Sequence, residues 1–232
     1  KTTNLSSWNL VARIPPQPQF GQTAQFAYRL YQAYELKPAE KEVRNHALTF
    51  FRAAEKYAWQ AKGKFYVNEF NMDGSPLKAD DARFNRVPLF PGDGVNTLQV
   101  KPVFQANIGR IAAYFYSREK DPHFLLIARR MIDIMERDPL KKNFQAVEVA
   151  NRIHLLMDVY DLTKDRNLLN LARKYADLGI AGLWRNGLFA RSAGDPFYES
   201  LGGVGNFVAG LLRLHLALNG TPKELQNVDW SY

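Results

Sequence analysis

Residues 146 to 160 are apolar nearly all the way round a helix: Val147, Val149, Ile153, Leu155, Leu156, Met157 and Val159 leave no continuous polar face. Such a segment predicts a helix buried on most sides. Residues 168 to 182 read differently. Leu168, Leu171, Ala172, Tyr175 and Leu178 make one face, and Asn170, Arg173, Lys174 and Asp177 make the other, which predicts an amphipathic helix covering its neighbours. The alternation recurs earlier. Residues 105 to 116 are largely apolar, whereas residues 123 to 136 alternate Phe124, Ile127, Ala128, Met131 and Met135 with Arg129, Arg130, Asp133 and Glu136. Residues 25 to 36 read as an inner helix and 39 to 63 as its outer partner, ending at Gly63, a residue type that commonly ends helices. Residues 204 to 218, "VGNFVAGLLRLHLAL", are again inner-like. The pattern predicts an all-α chain of about seven helices, four inner and three outer.

The hairpins repeat in sequence. Phe104-Gln105-Ala106 and Phe144-Gln145-Ala146 open two segments 40 residues apart. Farther along, Lys120-Asp121 matches Lys164-Asp165, Leu125 matches Leu169, and Ala128-Arg129 matches Ala172-Arg173, now 44 residues apart. The difference is about one helical turn, and a period of about 40 residues signals stacked helical hairpins. "AEKYA" at 54 to 58 also echoes "ARKYA" at 172 to 176.

Short turns ("KP", "SREKDP", "LTKDR") join inner to outer helices, and generally longer segments, near 64 to 103, 138 to 143 and 185 to 201, lead from each outer helix to the next inner one. In an up-down array the longer segments therefore gather at one rim, with the N-termini of the inner helices. Helix N-termini favour anionic or hydroxyl-rich ligands. The polar residues of the inner helices fall at the same end: Gln105, Asn107 and Arg110 in one, Gln145, Glu148, Asn151 and Arg152 in the next, Asn206 at the start of the last. Residues 191 to 207, "RSAGDPFYESLGGVGNF", end at that rim and bring Arg191, Asp195, Tyr198 and Glu199 beside a glycine cluster.

Composition narrows the field. Cysteine is absent, which excludes disulfide and thiol chemistry. No apolar run is long enough to span a membrane. The net charge of +8 favours an anionic partner, yet Lys and Arg are dispersed, the longest runs being pairs such as Arg129-Arg130 and Lys141-Lys142, which argues against nucleic acid. Fifteen Phe, 11 Tyr and 4 Trp suit both a large core and sugar-stacking clefts. The chain begins at Lys1, so either a signal peptide has been removed or the chain is part of a longer protein; a secreted or periplasmic location is the expectation.

Inner and outer helices joined by alternating short and long connections resemble the α/α toroid of carbohydrate-active enzymes. "VYDLTKDRNLLNLARKYAD", "GLWRNGLFAR" and "FYESLGGVGNFVAGLLRLH" are similar to the hairpins of helical-toroid polysaccharide lyases and related glycosidases, nearest to helical pectate-lyase-like proteins, and the resemblance covers about residues 104 to 218. It implies a toroid-like domain over 25 to 232 after a lead segment 1 to 24, acting on an acidic, uronate-containing polysaccharide or oligosaccharide by β-elimination. Seven helices do not close such a ring. The chain is therefore expected to be an incomplete toroid: the C-terminal part of a longer enzyme, an open array, or a partner of a companion chain.

Elimination needs a base for the proton α to the carboxylate, a cation or proton donor on that carboxylate, and an acid for the leaving oxygen. The available set is Tyr198, Arg191, Arg152 and His154, with Glu199, Asp195, Asn151, Glu148, Gln145 and Trp184 as substrate contacts. Hydrolysis would instead need two facing carboxylates, with Asp195, Glu199, Glu148, Asp73, Asp80, Asp81 and Asp93 as candidates. A non-catalytic helical-repeat binding protein is the third reading. Structural roles compete with each assignment: Glu148 and Arg152 stand at i,i+4 and can pair with each other, His154 lies in an apolar stretch, His215 sits near the far end of its helix, Asp195-Pro196 suits a turn, and Trp184 and Phe189 can cap the core. His46, His123, His154 and His215 show no metal-ligand spacing. No cofactor is indicated; Ca²⁺ on loop carboxylates is the one ion entertained, although "NMDGSPLKADD" lacks EF-hand register.

Overall fold

The structure, a computed structural model, describes residues 19–67, 105–194 and 203–220. The described residues form helical hairpins, so the chain is all-α, with two two-stranded β-hairpins. It divides into two compact units, one running to Ile111 and the other starting at Ala112. Each is taken by itself.

In the first unit α1 (Phe20–Leu36) packs on α2 (Lys41–Ala58). Helix α1 starts five residues before the sequence pattern suggested, because Phe20 is fully buried and begins the stripe Phe20, Ala24, Ala27, Tyr31. Helix α2 stops at Ala58 rather than running to Gly63. Trp59 turns extended (φ −75°, ψ 121°), and β1 (Trp59–Gln60) pairs antiparallel with β2 (Phe65–Tyr66). Tyr66, 1% exposed, donates its hydroxyl to the buried carboxylate of Glu55 at 3.0 Å and stacks on Trp59 and Phe20 at ring separations of 4.7 and 5.3 Å. That set of contacts offsets what a longer helix would gain in backbone bonds.

The second unit is built on α3 (Ala106–Glu119) from Ala112 onward, α4 (Pro122–Arg137), α5 (Ala146–Thr163), α6 (Arg166–Leu183) and α7 (Val204–Asn219). The repeated Lys-Asp pair makes the same turn twice. Lys120 and Lys164 take left-handed φ values of 56° and 57°, and Asp121 and Asp165 then cap α4 and α6 by accepting from the amides of His123 (2.9 Å) and Asn167 (3.0 Å). Burial separates inner from outer helices as the pattern predicted. Helix α5 buries residues on all sides, including Ile153, Leu155, Leu156 and Val159 at 0% exposure, each such side chain contributing about 2 kcal/mol. Helix α6 buries a stripe only: Leu169, Ala172, Tyr175, Ala176, Gly179 and Leu183.

Helices α5 and α7 run parallel. His154 meets Asn206, and Arg213 meets Asp158 and Asp161, at sequence separations of 52, 55 and 52, a nearly constant offset. Helix α6 runs antiparallel to α5, since Gly182 faces Phe144, Gly179 faces Val149, and Tyr175 faces Arg152. Gly179 and Gly182 are needed there: a Cβ at either would stand 2.6 or 2.5 Å from the ring of Phe207 or Phe144. The N-termini of α5 and α7 thus share one rim with the C-terminus of α6. Among the described residues no helix is long and apolar enough to cross a membrane.

Candidate functional site

The rim is assembled by backbone. After α6, β3 (Trp184–Arg185) pairs with β4 (Leu188–Phe189) through a two-residue turn in which Asn186 and Gly187 both have positive φ, 50° and 87°. The chain then crosses the start of α5. The carbonyl of Arg191 accepts from the amide of Ala146 at 2.8 Å, the amide of Ala193 donates to the carbonyl of Phe144 at 2.9 Å, and Gln145 bridges Ser192. One residue on in α5, Val147 touches Gly203, the N-cap of α7. A Cβ on Gly203 would stand 2.6 Å from Val147 Cβ, and its φ of +80° already excludes most side chains. The first turn of α5 therefore carries both the Arg191 strap and the beginning of α7.

The two helix starts differ electrostatically. In α5 the first-turn donors serve the protein itself: Ala146 is bonded to Arg191, and the carboxylate of Glu148 accepts from the amide of Gln145 at 2.8 Å. This corrects two expectations, that α5 would present its amides to a ligand and that Glu148 would pair with Arg152. Among the described residues, helix α7 begins at Gly203 with no side-chain cap and no acidic residue in its first turn, and Gly205 is open on its Cβ side. The anion-favouring start is that of α7.

Arg152 faces inward. Its side chain is 4% exposed, and it donates to the carbonyls of Met135 (2.9 Å) and Asp138 (2.6 Å), with Tyr175 Oη at 3.4 Å and the Tyr175 ring centroid 5.3 Å away. It binds carbonyls at the C-terminus of α4, where a cation also complements the helix dipole. His154, 4% exposed, places Nε2 3.0 Å from the Asn206 carbonyl, so Nε2 carries the proton and ties α5 to the first turn of α7. Arg191 is half-buried, as is Asn151; Gln145 and Glu148 are exposed at the rim. Trp184 is 50% exposed and stands edge-on to Phe189, which in turn stands edge-on to Phe207. Tyr198, Glu199 and Asp195 lie outside the described residues. The candidates thus part: Arg191, Gln145, Glu148 and Trp184 belong to the rim, while Arg152 and His154 are buried beneath it.

Two groups were not singled out from sequence. Arg185, on the hairpin, donates to the carbonyls of Gly182 (3.2 Å) and Ala193 (3.1 Å) and so ties the hairpin to the strap; the Asn186-Gly187 turn was the signal for it. At the opposite end of α5, Arg213 meets Asp158 at 2.6 Å and Asp161 at 2.7 Å. Burial pulls the Arg213 guanidinium down, and the two carboxylates more than offset this, leaving it above its ordinary range. Among the described residues no three His, Asp or Glu side chains gather as a metal site. An open hollow on the outer face of α6, lined by Asn170, Arg173, Lys174, Asp177, Leu178 and Ala181, contains none of the candidates.

No protein-family model matches the chain, and no curated protein matches it. Among solved structures it is similar to a polysaccharide lyase at a TM-score of 0.49 and 16% identity, over 95% of this chain and 59% of that one. The chain thus spans somewhat under two thirds of the length of that structure.

Proposed function

We propose that the protein is a carbohydrate-active enzyme, a polysaccharide lyase that cleaves an acidic polysaccharide by β-elimination at the rim of α5 and α7. The observation that carries this reading is the start of α7: without a side-chain cap among the described residues, free of acidic residues in its first turn, and packed on the same turn of α5 that holds the Arg191 strap. A developing carboxylate or enolate charge is stabilised by such a helix start together with a guanidinium. The net charge of +8 suits a polyanionic chain.

In this reading Arg191 neutralises the uronate carboxylate and Tyr198 takes the proton on the carbon α to it. That electron pair forms the new carbon–carbon double bond as the bond to the leaving oxygen breaks, and the oxygen receives the proton. Arg152 and His154 hold helices in place and do not touch substrate. Incubation with a panel of polyuronates, polygalacturonate among them, followed by ultraviolet absorbance, detects the unsaturated uronate that only elimination makes. Tyr198→Phe is expected to lower the rate by about 10²–10⁴-fold, the range for loss of a general acid–base group. Arg191→Ala is expected to lower it by about 10²–10³-fold, as for loss of one charge-stabilising donor. No unsaturated product from any polyuronate, with circular dichroism showing the helices intact, overturns the reading.

A further inference from the structure

Trp184 presents half of its surface to solvent, yet it stands on a hairpin that the fold fixes in place. Its ring stands 4.9 Å from Phe189 at 69°, and Phe189 stands 5.1 Å from Phe207 at 86°, so an edge-to-face ladder runs from the surface into the fully buried ring of α7. The hairpin is closed by the tight Asn186-Gly187 turn and by the Ala190 amide on the Leu183 carbonyl at 2.8 Å. Arg185 fastens it to the strap through Ala193. An indole that only completed the core would be covered. The equivalent hairpin of the first unit shows that alternative: Trp59 is more buried, stacks on the buried Tyr66, and is followed by neutral Gln60.

We propose that Trp184 is a stacking platform for a sugar ring of an anionic polysaccharide, a subsite beside the rim. A rigid indole offers a large amphipathic face at little entropic cost on binding. Both bonds of Arg185 go to carbonyls, and among the described residues it meets no carboxylate, so its hairpin carries a cationic side chain beside the indole. Strand alternation puts Trp184 and Arg185 on opposite faces of β3. The indole therefore takes the ring face, while Arg185 secures the hairpin and attracts the anionic chain at longer range. The choice of an anionic sugar rests on the proposed function; the stacking role of Trp184 does not.

The test is calorimetric titration with tetragalacturonate and with a neutral oligosaccharide of the same length, in a Tyr198→Phe background to prevent turnover. Trp184→Ala is expected to weaken tetragalacturonate binding about tenfold or more, the loss typical of a truncated aromatic anchor, and Trp184→Phe to restore part of it. Arg185→Gln is expected to flatten the salt dependence of binding. Unchanged affinity in Trp184→Ala overturns the subsite even if the parent protein makes unsaturated product. Affinity that depends on Trp184 in a protein that never makes such product keeps the subsite and removes the lyase. Equal affinity for the neutral chain overturns the anionic assignment. A dimer that dissociates in Trp184→Ala makes the platform a contact between copies and overturns the subsite as well.

Discussion

Arg152 offers the sharpest separation between a structural and a catalytic role. Its two short bonds go to the carbonyls of Met135 and Asp138, which close α4. Hydrogen bonds from a charged donor contribute about 1.5–3 kcal/mol each, and a buried carbonyl left unsatisfied costs about 1–3 kcal/mol. Arg152→Met retains the apolar stem and removes both bonds, so a loss of about 3–5 kcal/mol is expected. For a chain of this size that corresponds to a fall in Tm of about 10 °C. The ion pair to Asp138 adds little, because that carboxylate is 61% exposed and 3.7 Å away; Asp138→Asn should cost under about 1 kcal/mol. Arg152→Lys keeps the charge but not the fork and should fall between. Urea unfolding followed by far-ultraviolet circular dichroism measures all three. An Arg152→Met curve within about 1 kcal/mol of the parent, with activity on polyuronate abolished, refutes the structural assignment and returns Arg152 to the chemistry.

Other consequences follow from the same contacts. Arg213→Met breaks both carboxylate bonds between α5 and α7 and should cost about 2–3 kcal/mol in the same assay, moderated because Asp158 and Asp161 are partly exposed and stay hydrated. Because the folded-state pKa of Arg213 is raised, its stabilising contribution is fully present below the unfolded value and is lost only above the range in which the protein can be handled. The difference between Arg213→Met and the parent should therefore be the same at neutral and mildly alkaline pH, as paired urea titrations would show. Gly187→Ala meets open space at φ +87° and should cost about 1 kcal/mol of backbone strain, whereas Gly203→Ala adds the collision with Val147 and should cost about 2–3 kcal/mol more; equal melting temperatures for the two variants would contradict the close approach of α7 to α5.

The helices and their inner or outer character were legible because the signals are local. The burial of α5 on all sides and of α6 along one stripe follows from the spacing of apolar residues, and each Lys-Asp turn is written in two adjacent residues. What the pattern concealed depends on partners distant in sequence or on backbone. Glu148 and Arg152 stand at the spacing of an ion pair, yet the α5 start places the Gln145 amide within reach of Glu148, and the close of α4 supplies carbonyls for Arg152. Gln145 is not a favoured N-cap residue, so nothing in the text marked that turn. The two β-hairpins have strands of two residues each, too short for alternation to register; one carries an Asn-Gly turn, and the other carries no such mark. The rim is the strongest case. It is held by the Arg191 carbonyl, the Ala193 amide and the bare Gly203, groups whose contribution does not depend on side-chain chemistry. The reactive side chains that α5 offers by residue type, Arg152 and His154, are instead turned to backbone carbonyls, those of Met135 and Asp138 for Arg152 and that of Asn206 for His154.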